Sequence, residues 1–237
     1  MEMPDDAWRV PGERRGQSLV LSAPYIGGAS PLVPDDAAML AWVLSDGSLR
    51  WARPQTQTSP IVKIIQSERK FASEIRNLLS RTNAYVSERG HGNRDCRSFH
   101  VQGTYFQRVW DQSGLRERSI SDLVLDLSSD ARTAWFDTWR KAEGTRGTGY
   151  RSITQNPGAA LDALELCAYL EGYATKTTAK QGGSAYVHLY KRRPTPRRAS
   201  MIDVGNAPVW CVGTNVGTWT ARDEDGYIFL TGNTLWI

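Results

Sequence analysis

Two stretches decide how this chain folds: Met39-Leu40-Ala41-Trp42-Val43-Leu44-Ser45-Asp46-Gly47 and Phe136-Asp137-Thr138-Trp139-Arg140-Lys141-Ala142-Glu143-Gly144. Each is a helical run that ends in a carboxylate followed by glycine. Asp35-Asp36 stand before the first and Asp130 before the second, so both read as helices opened by acids and stopped by glycine. Small residues one turn apart, Ala41 with Ser45 and Thr138 with Ala142, would let the two helices pack backbone to backbone. That packing would bring Asp46 and Glu143 together.

The segments after the two runs are alike as well. Ile61–Ile65 reads as a β-branched strand running into Gln66-Ser67, and Tyr150–Thr154 as a strand running into Gln155-Asn156. An amphipathic helix is predicted after each. The first runs from Ser67 to Ser80, with Phe71, Ile75, Leu78 and Leu79 at helical spacing; the second carries Leu161, Leu164, Leu166 and Leu170. The repeated order reads as an internal duplication. Taken singly, each acid–Gly pair is equally an ordinary helix terminus. Taken as a pair, two carboxylates side by side repel, and a divalent cation relieves the repulsion. Oxygen ligands suit Mg²⁺, and such a site can clamp the attacking and leaving oxygens of a phosphodiester.

Composition narrows the class. The chain has 237 residues, which at about 150 residues per domain lies between one domain and two. Hydrophobic residues are 40% and aromatics 10%, enough for a packed core, which excludes a disordered tail or a fibre. The net charge of +4 permits nucleic acid as a partner without requiring it. Cys96, Cys167 and Cys211 form no CxxC, and His91, His100 and His188 show no ligand spacing, so neither disulfides nor zinc are favoured. The acidic start lacks a signal-peptide run, and no stretch approaches about 18 apolar residues, so a cytoplasmic chain with no membrane span is expected.

The two acid–Gly runs resemble the paired signature helices of the LAGLIDADG (DOD-type) homing endonucleases, over roughly residues 34–182. The resemblance implies an α+β fold of two αββαββα halves in one chain, about 34–128 and 129–182, acting as a monomer. It implies a saddle of strands on double-stranded DNA, with Asp46 and Glu143, followed by Gly47 and Gly144, holding Mg²⁺ under the scissile phosphates. Gln66 and Gln155 match the family's glutamine at a strand end near the metal and its water. Arg118 falls where the family often carries an auxiliary lysine, a change of geometry at constant charge. Arg76, Arg81, Arg89, Arg94, Arg97, Arg108, Arg151 and Lys176 are candidate phosphate contacts, although single exposed cations serve equally as solvated surface. Arg140 and Lys141 depart from the family pattern, which is apolar or acidic there.

After Ser184 the chain changes character. Tyr186–Tyr190 reads as a strand that runs into the basic Lys191-Arg192-Arg193. Pro208–Val212, Thr218–Arg222 and Tyr227–Leu230 read as short strands, the last two joined by a turn with Asp-Gly. Asn233 can cyclise onto its own carbonyl and release Thr234, whose hydroxyl can accept an acyl group, while Cys211 can supply a thiolate. Gly-Asn as a turn and Cys211 as a buried apolar residue explain the same letters. The segment resembles the last two blocks of an intein, a Hint-fold splicing element, of the variety with an internal cysteine nucleophile. That resemblance assigns Cys211, Thr231, Asn233 and Thr234 to splicing, with Gly232 in place of the usual histidine. It divides the chain into a residual Hint segment at 1–33, the endonuclease at 34–182 and a C-terminal Hint segment at 183–237. A separate N-terminal intein half is then an expected partner. The alternative is a truncated or split intein fragment whose nuclease unit only binds DNA or is inert.

Overall fold

The repeat is visible in the backbone of a computed structural model, which describes residues 27–51, 60–145, 151–180, 182–191, 218–222 and 228–232. The first half runs α1 (Pro34–Ser45), β1 (Gly47–Arg50), β2 (Ile61–Ser67), α2 (Ala72–Arg81), β3 (Tyr85–His91), β4 (Asn93–Val101), α3 (Gly103–Ser113) and α4 (Ile120–Asp126). The second runs α5 (Ser129–Glu143), β5 (Ser152–Gln155), α6 (Ala159–Leu170), β6 (Tyr173–Ala179) and β7 (Ala185–Lys191). A hairpin of β8 (Thr218–Arg222) and β9 (Ile228–Gly232) comes last. The class is α+β, with antiparallel sheets ordered β1-β2-β4-β3 and β5-β7-β6.

The duplication is sharpest in the strand registers. Gly47 pairs with Ile64, and Gly144 forms a bridge with Ile153. Gln66 and Gln155 each stand two residues beyond the paired isoleucine, and each side-chain oxygen accepts the next residue's N–H at 2.9 Å. The two halves are not equal in length, however. Only the first follows αββαββα, with α4 added. In the second, the counterpart of β1 is reduced to the Gly144 bridge among the described residues, and no helix is described after β7. A boundary at residue 183 is also misplaced, because β7 is the central strand of the second sheet. The unit therefore extends to Lys191.

Local starts differ from the predicted ones. Pro34 occupies the first turn of α1, and its fixed φ suits that position, so Asp35 and Asp36 lie inside the helix rather than before it. The cap of α5 is Ser128, whose hydroxyl accepts the Ala131 N–H at 3.3 Å, and not Asp130. Helix α2 begins at Ala72, because Ser67 is still paired in β2.

One core runs through both halves. α1 is buried on every side from Asp36 to Val43, and α5 buries Trp135, Phe136, Thr138 and Trp139 against it. From below come Val62, Ile64, Phe99 and Val101 of the first sheet and Ile153, Val187 and Leu189 of the second. Two contacts lock the halves further: α4 packs on α6, and Lys141 of α5 meets Glu74 of α2 at 2.8 Å. Arg140 lies over the Phe136 and Tyr173 rings and donates to Asp137 at 3.1 Å. The two departures in the second helix are thus structural contacts.

The first turn of α1 is held by a buried charge. Asp36, 3% exposed, accepts the Tyr105 hydroxyl at 2.7 Å and the Arg108 guanidinium at 2.9 and 3.2 Å. Burial and then the Asp36 carboxylate push the Tyr105 pKa up, so the phenol stays a donor. Arg108 is therefore tied to the helix layer through Asp36.

At the C-terminal end, β8 and β9 pair from Thr218 opposite Gly232 to Arg222 opposite Ile228, in agreement with the predicted strands. Thr231 lies in β9 opposite Trp219. Cys211, Asn233 and Thr234, like most of the residual segment at 1–33, lie outside the described residues. No helix among the described residues is long and apolar enough to cross a membrane.

Replacing Tyr105 with Phe removes a buried hydrogen bond to a charged group and should cost about 2 kcal/mol. Urea unfolding at neutral pH measures it.

Candidate active site

Asp46 is the residue that closes α1, and Glu143 is the last residue of α5. The helices pack along their length, so their ends coincide and the two carboxylates feel each other. Burial, and second the nearby Asp46 charge, raise Glu143 from its ordinary 4.5 to about 7. Burial also raises Asp46, opposed by the positive charge of Lys70 and by the hydrogen bond from Gln66. Gln66 Nε2 donates to Asp46 Oδ2 at 3.0 Å. The expected trio of Asp46, Glu143 and Gln66 is therefore brought together. Gln155 holds the corresponding place below Glu143 in register.

The two glycines differ. A Cβ on Gly47 would lie 2.6 Å from the Val43 Cα and carbonyl oxygen, so only glycine lets α1 turn into β1 there. Gly144 has φ −85° and ψ 151°, an extended conformation open to any residue. The steric requirement for glycine is therefore shown at Gly47, while the backbone at Gly144 sets none.

Arg118 does not take the auxiliary position. Its Nε donates to the Ser113 carbonyl at 2.7 Å and its guanidinium pairs with Asp126, which fixes the connection from α3 to α4. The cation that acts on Asp46 is Lys70, four residues beyond Gln66 in the turn before α2. Ala159 stands at the same offset from Gln155, so the duplication carries this lysine once.

The expected phosphate contacts divide by sheet face. Residues directly opposite in an antiparallel pair share a face. Gln66, Arg97 and Glu88 therefore share the helix side of the first sheet with Val62, Ile64 and Phe99. There Arg97 pairs with Glu68 at 2.8 Å, and Arg76 pairs with Glu68 and, at 2.6 Å, with Glu88. Arg81 pairs with Asp35 at 2.6 Å. These three, like Arg108, are paired with carboxylates of the helix layer. Arg89 and Lys176 do lie on the outer faces, and Arg151 is exposed at the start of β5. The side chain of Arg94 is outside the described set.

The outer face of the first sheet carries Ser48, Arg50, Lys63, Ile65, Ser67, Ser87, Arg89, Cys96, Ser98 and His100. That of the second carries Ser152, Thr154, Lys176, Thr178, Tyr186, His188 and Tyr190. Among these positions there is no carboxylate, whereas Glu68 and Glu88 sit with the helices. Arg50 and Lys63 join the surface although motif and spacing single out neither. The lone lysine within Ile61–Ile65 is the signal for the second, since one polar residue in an apolar run marks the outward parity.

No protein-family model matches the sequence, and no characterised relative matches it. Among solved structures, the chain is similar to the homing endonuclease I-DmoI in complex with DNA and Ca, at 16% identity over 66% of this chain and 83% of that one, TM-score 0.49. It is similar to I-DmoI in complex with DNA and Mn at 14% identity, over 71% and 98%, TM-score 0.48. It is also similar to the I-SmaMI LAGLIDADG homing endonuclease bound to cleaved DNA, at 11% identity over 69% and 79%, TM-score 0.41.

The donor set fits a hard divalent cation. Both raised carboxyls are oxygen donors whose mutual repulsion a cation would relieve. No group of three or more His, Cys, Asp and Glu is found among the described residues. Two carboxylates leave open positions, which suits Mg²⁺, an ion that keeps waters and binds substrate phosphates.

Glu143 holds its proton more tightly in the folded chain, between 4.5 and about 7, so its contribution falls as pH rises through that interval. Glu143→Gln should therefore leave stability near pH 4 little changed and raise it near pH 8. Thermal unfolding of the two proteins across that range measures the difference; equal gaps at both ends would refute the shift.

Proposed function

We propose that the chain is a LAGLIDADG-type DNA endonuclease, acting within the cell as a monomer that cuts a long double-stranded site with Mg²⁺. The observation that carries this reading is the pair of desolvated carboxylates at the ends of α1 and α5, beside two sheets whose outer faces carry cations and, among the described paired residues, no carboxylate. Each acid is followed directly by the glycine that enters its sheet.

Each part has a role in that reading. The outer-face cations Arg50, Lys63, Arg89 and Lys176 bind backbone phosphates and set the position of the duplex. Asp46 and Glu143 hold the cation. When bound, Mg²⁺ supplies charge stabilisation at the phosphoryl oxygens and activation of water. Gln66 orients Asp46 through its 3.0 Å hydrogen bond, and its own oxygen is fixed by the Ser67 N–H. Lys70 adds positive charge beside Asp46, where negative charge gathers in phosphodiester hydrolysis. Both halves lie in one chain, so no second copy is needed for either acid.

For the C-terminal segment, the intein reading remains a proposal. The β8–β9 hairpin favours it, by setting Thr231 in a paired strand just before Asn233. Supplying an N-terminal intein half in trans should then give ligation at Thr234, visible by mass spectrometry and lost with Cys211→Ala. Ligation by the Cys211→Ala protein would refute that nucleophile.

Nuclease activity is tested on a supercoiled plasmid carrying the surrounding gene without this coding sequence. Wild type should linearise it in Mg²⁺. Asp46→Asn and Glu143→Gln should each fall to background, and Gln66→Ala should fall about 10- to 100-fold, as expected for a partner of a metal ligand. Undiminished cutting by either acid variant would overturn the assignment.

A further inference from the structure

The registers that reveal the duplication also align two histidines. Ile64 corresponds to Ile153, so Lys63 corresponds to Ser152. His100 is the residue opposite Lys63, and His188 is the residue opposite Ser152. They occupy equivalent places on the outer faces of their sheets. Each lies on an interior strand, β4 with β2 and β3 on either side, and β7 with β5 and β6.

Their surroundings are polar and cationic. Around His100 stand Lys63 on β2, Ser87 and Arg89 on β3, and Ser98 on β4, whose hydroxyl is 3.4 Å from Nε2. Around His188 stand Ser152 on β5, Lys176 and Thr178 on β6, with the Thr178 hydroxyl 3.5 Å from Nε2, and the Tyr186 ring at 6.2 Å. Among the paired strand residues no carboxylate shares this face, and the helices cover the other one. The sheets therefore offer neither imidazolium an anion.

We propose that His100 and His188 are a matched pair of DNA-contacting groups, one per half, that each take up a proton from solvent as the duplex closes on them. The inference rests on the reading of these faces as a DNA surface. In the free chain, burial and then the charges of Arg89 and Lys63 hold His100 below the ordinary histidine range, favouring the neutral ring. A phosphate or a guanine edge supplies the missing negative partner, and an imidazolium donates from both nitrogens. Proton uptake on binding means that affinity rises as pH falls.

Affinity is measured by fluorescence anisotropy with a short fluorescein-labelled duplex of mixed sequence, at fixed salt and without Mg²⁺. The chain carries Asp46→Asn and Glu143→Gln, because the acid pair would otherwise titrate with the same sign. Between about pH 8 and pH 6 the dissociation constant should fall at least about tenfold. His100→Gln or His188→Gln should each remove about half of that change on a logarithmic scale, and the double variant should remove most of it. An undiminished pH response in the double variant overturns the proposal. Absence of binding at every pH, even at low salt, instead defeats the reading of the faces as a DNA surface. NMR titration of the imidazole protons gives an independent result in the intact chain: the His100 pKa should rise when the duplex is added, and an unchanged value overturns the proposal.

Discussion

Everything in this molecule hangs on the seam between α1 and α5. α1 has no solvent face over Asp36–Val43, so it cannot exist without α5 against it and a sheet beneath it. Burying an apolar side chain completely is worth about 1.5–3 kcal/mol, and α1 buries Met39, Leu40, Trp42 and Val43 in succession. A helix this apolar must place its first polar side chains where it ends. At the far end these are Ser45, whose hydroxyl turns back to the Ala41 carbonyl, and then Asp46, and the residue of α5 matching Asp46 is Glu143. The seam that stabilises the fold thereby forces two carboxylates into one poorly solvated place. The tension is physical, and it is what makes that place reactive toward cations.

The two ends of the seam treat charge in opposite ways. Asp36, at the N-terminal end, is deeply buried yet satisfied by Tyr105, Arg108 and the helix dipole. Asp46 and Glu143 lie at C-terminal ends, where the dipole disfavours an anion. Gln66 and Lys70 compensate Asp46, but for Glu143 burial and the Asp46 charge both act in the same direction. The first half therefore holds its acid ionised more readily than the second. The backbone differs as well: Gly47 is held where a Cβ would clash with Val43, whereas Gly144 is extended. The duplication has kept its registers while its chemistry has become unequal.

Much of this is legible in the letters. The helical runs, the Gln strand ends and the acid pair can be read because period, punctuation and repetition agree locally. What cannot be read is partnership. Arg76, Arg81, Arg97 and Arg108 look like any exposed arginine in sequence, and their acids Glu68, Glu88, Asp35 and Asp36 lie elsewhere in the chain. Position alone suggests Arg118 for the auxiliary cation, whereas the local turn at Gly114 and the acid at Asp126 claim its side chain. Within Tyr85–Asp126, β3 and β4 correspond to β6 and β7 by sheet order and not by any shared run of letters, so that correspondence emerges only in the fold. β7 reads as part of the C-terminal segment because the basic run after it looks like the start of something new.

Strand parity explains why the useful cations are the ones sequence overlooks. A cation beside a core strand has two places to go. On the helix side it is crowded against the helix layer, where the first sheet gives it an acid partner. The first sheet does this with Glu68 and Glu88. On the outer side water solvates it, and no acid is required. A surface left basic after the internal pairing is complete is therefore available to an external polyanion. By that criterion Arg50, Lys63, Arg89 and Lys176 form the surface, and a net charge of +4 understates it. The average is small because acids such as Asp35, Asp36, Glu68 and Glu88 are already committed to cations in the helix layer.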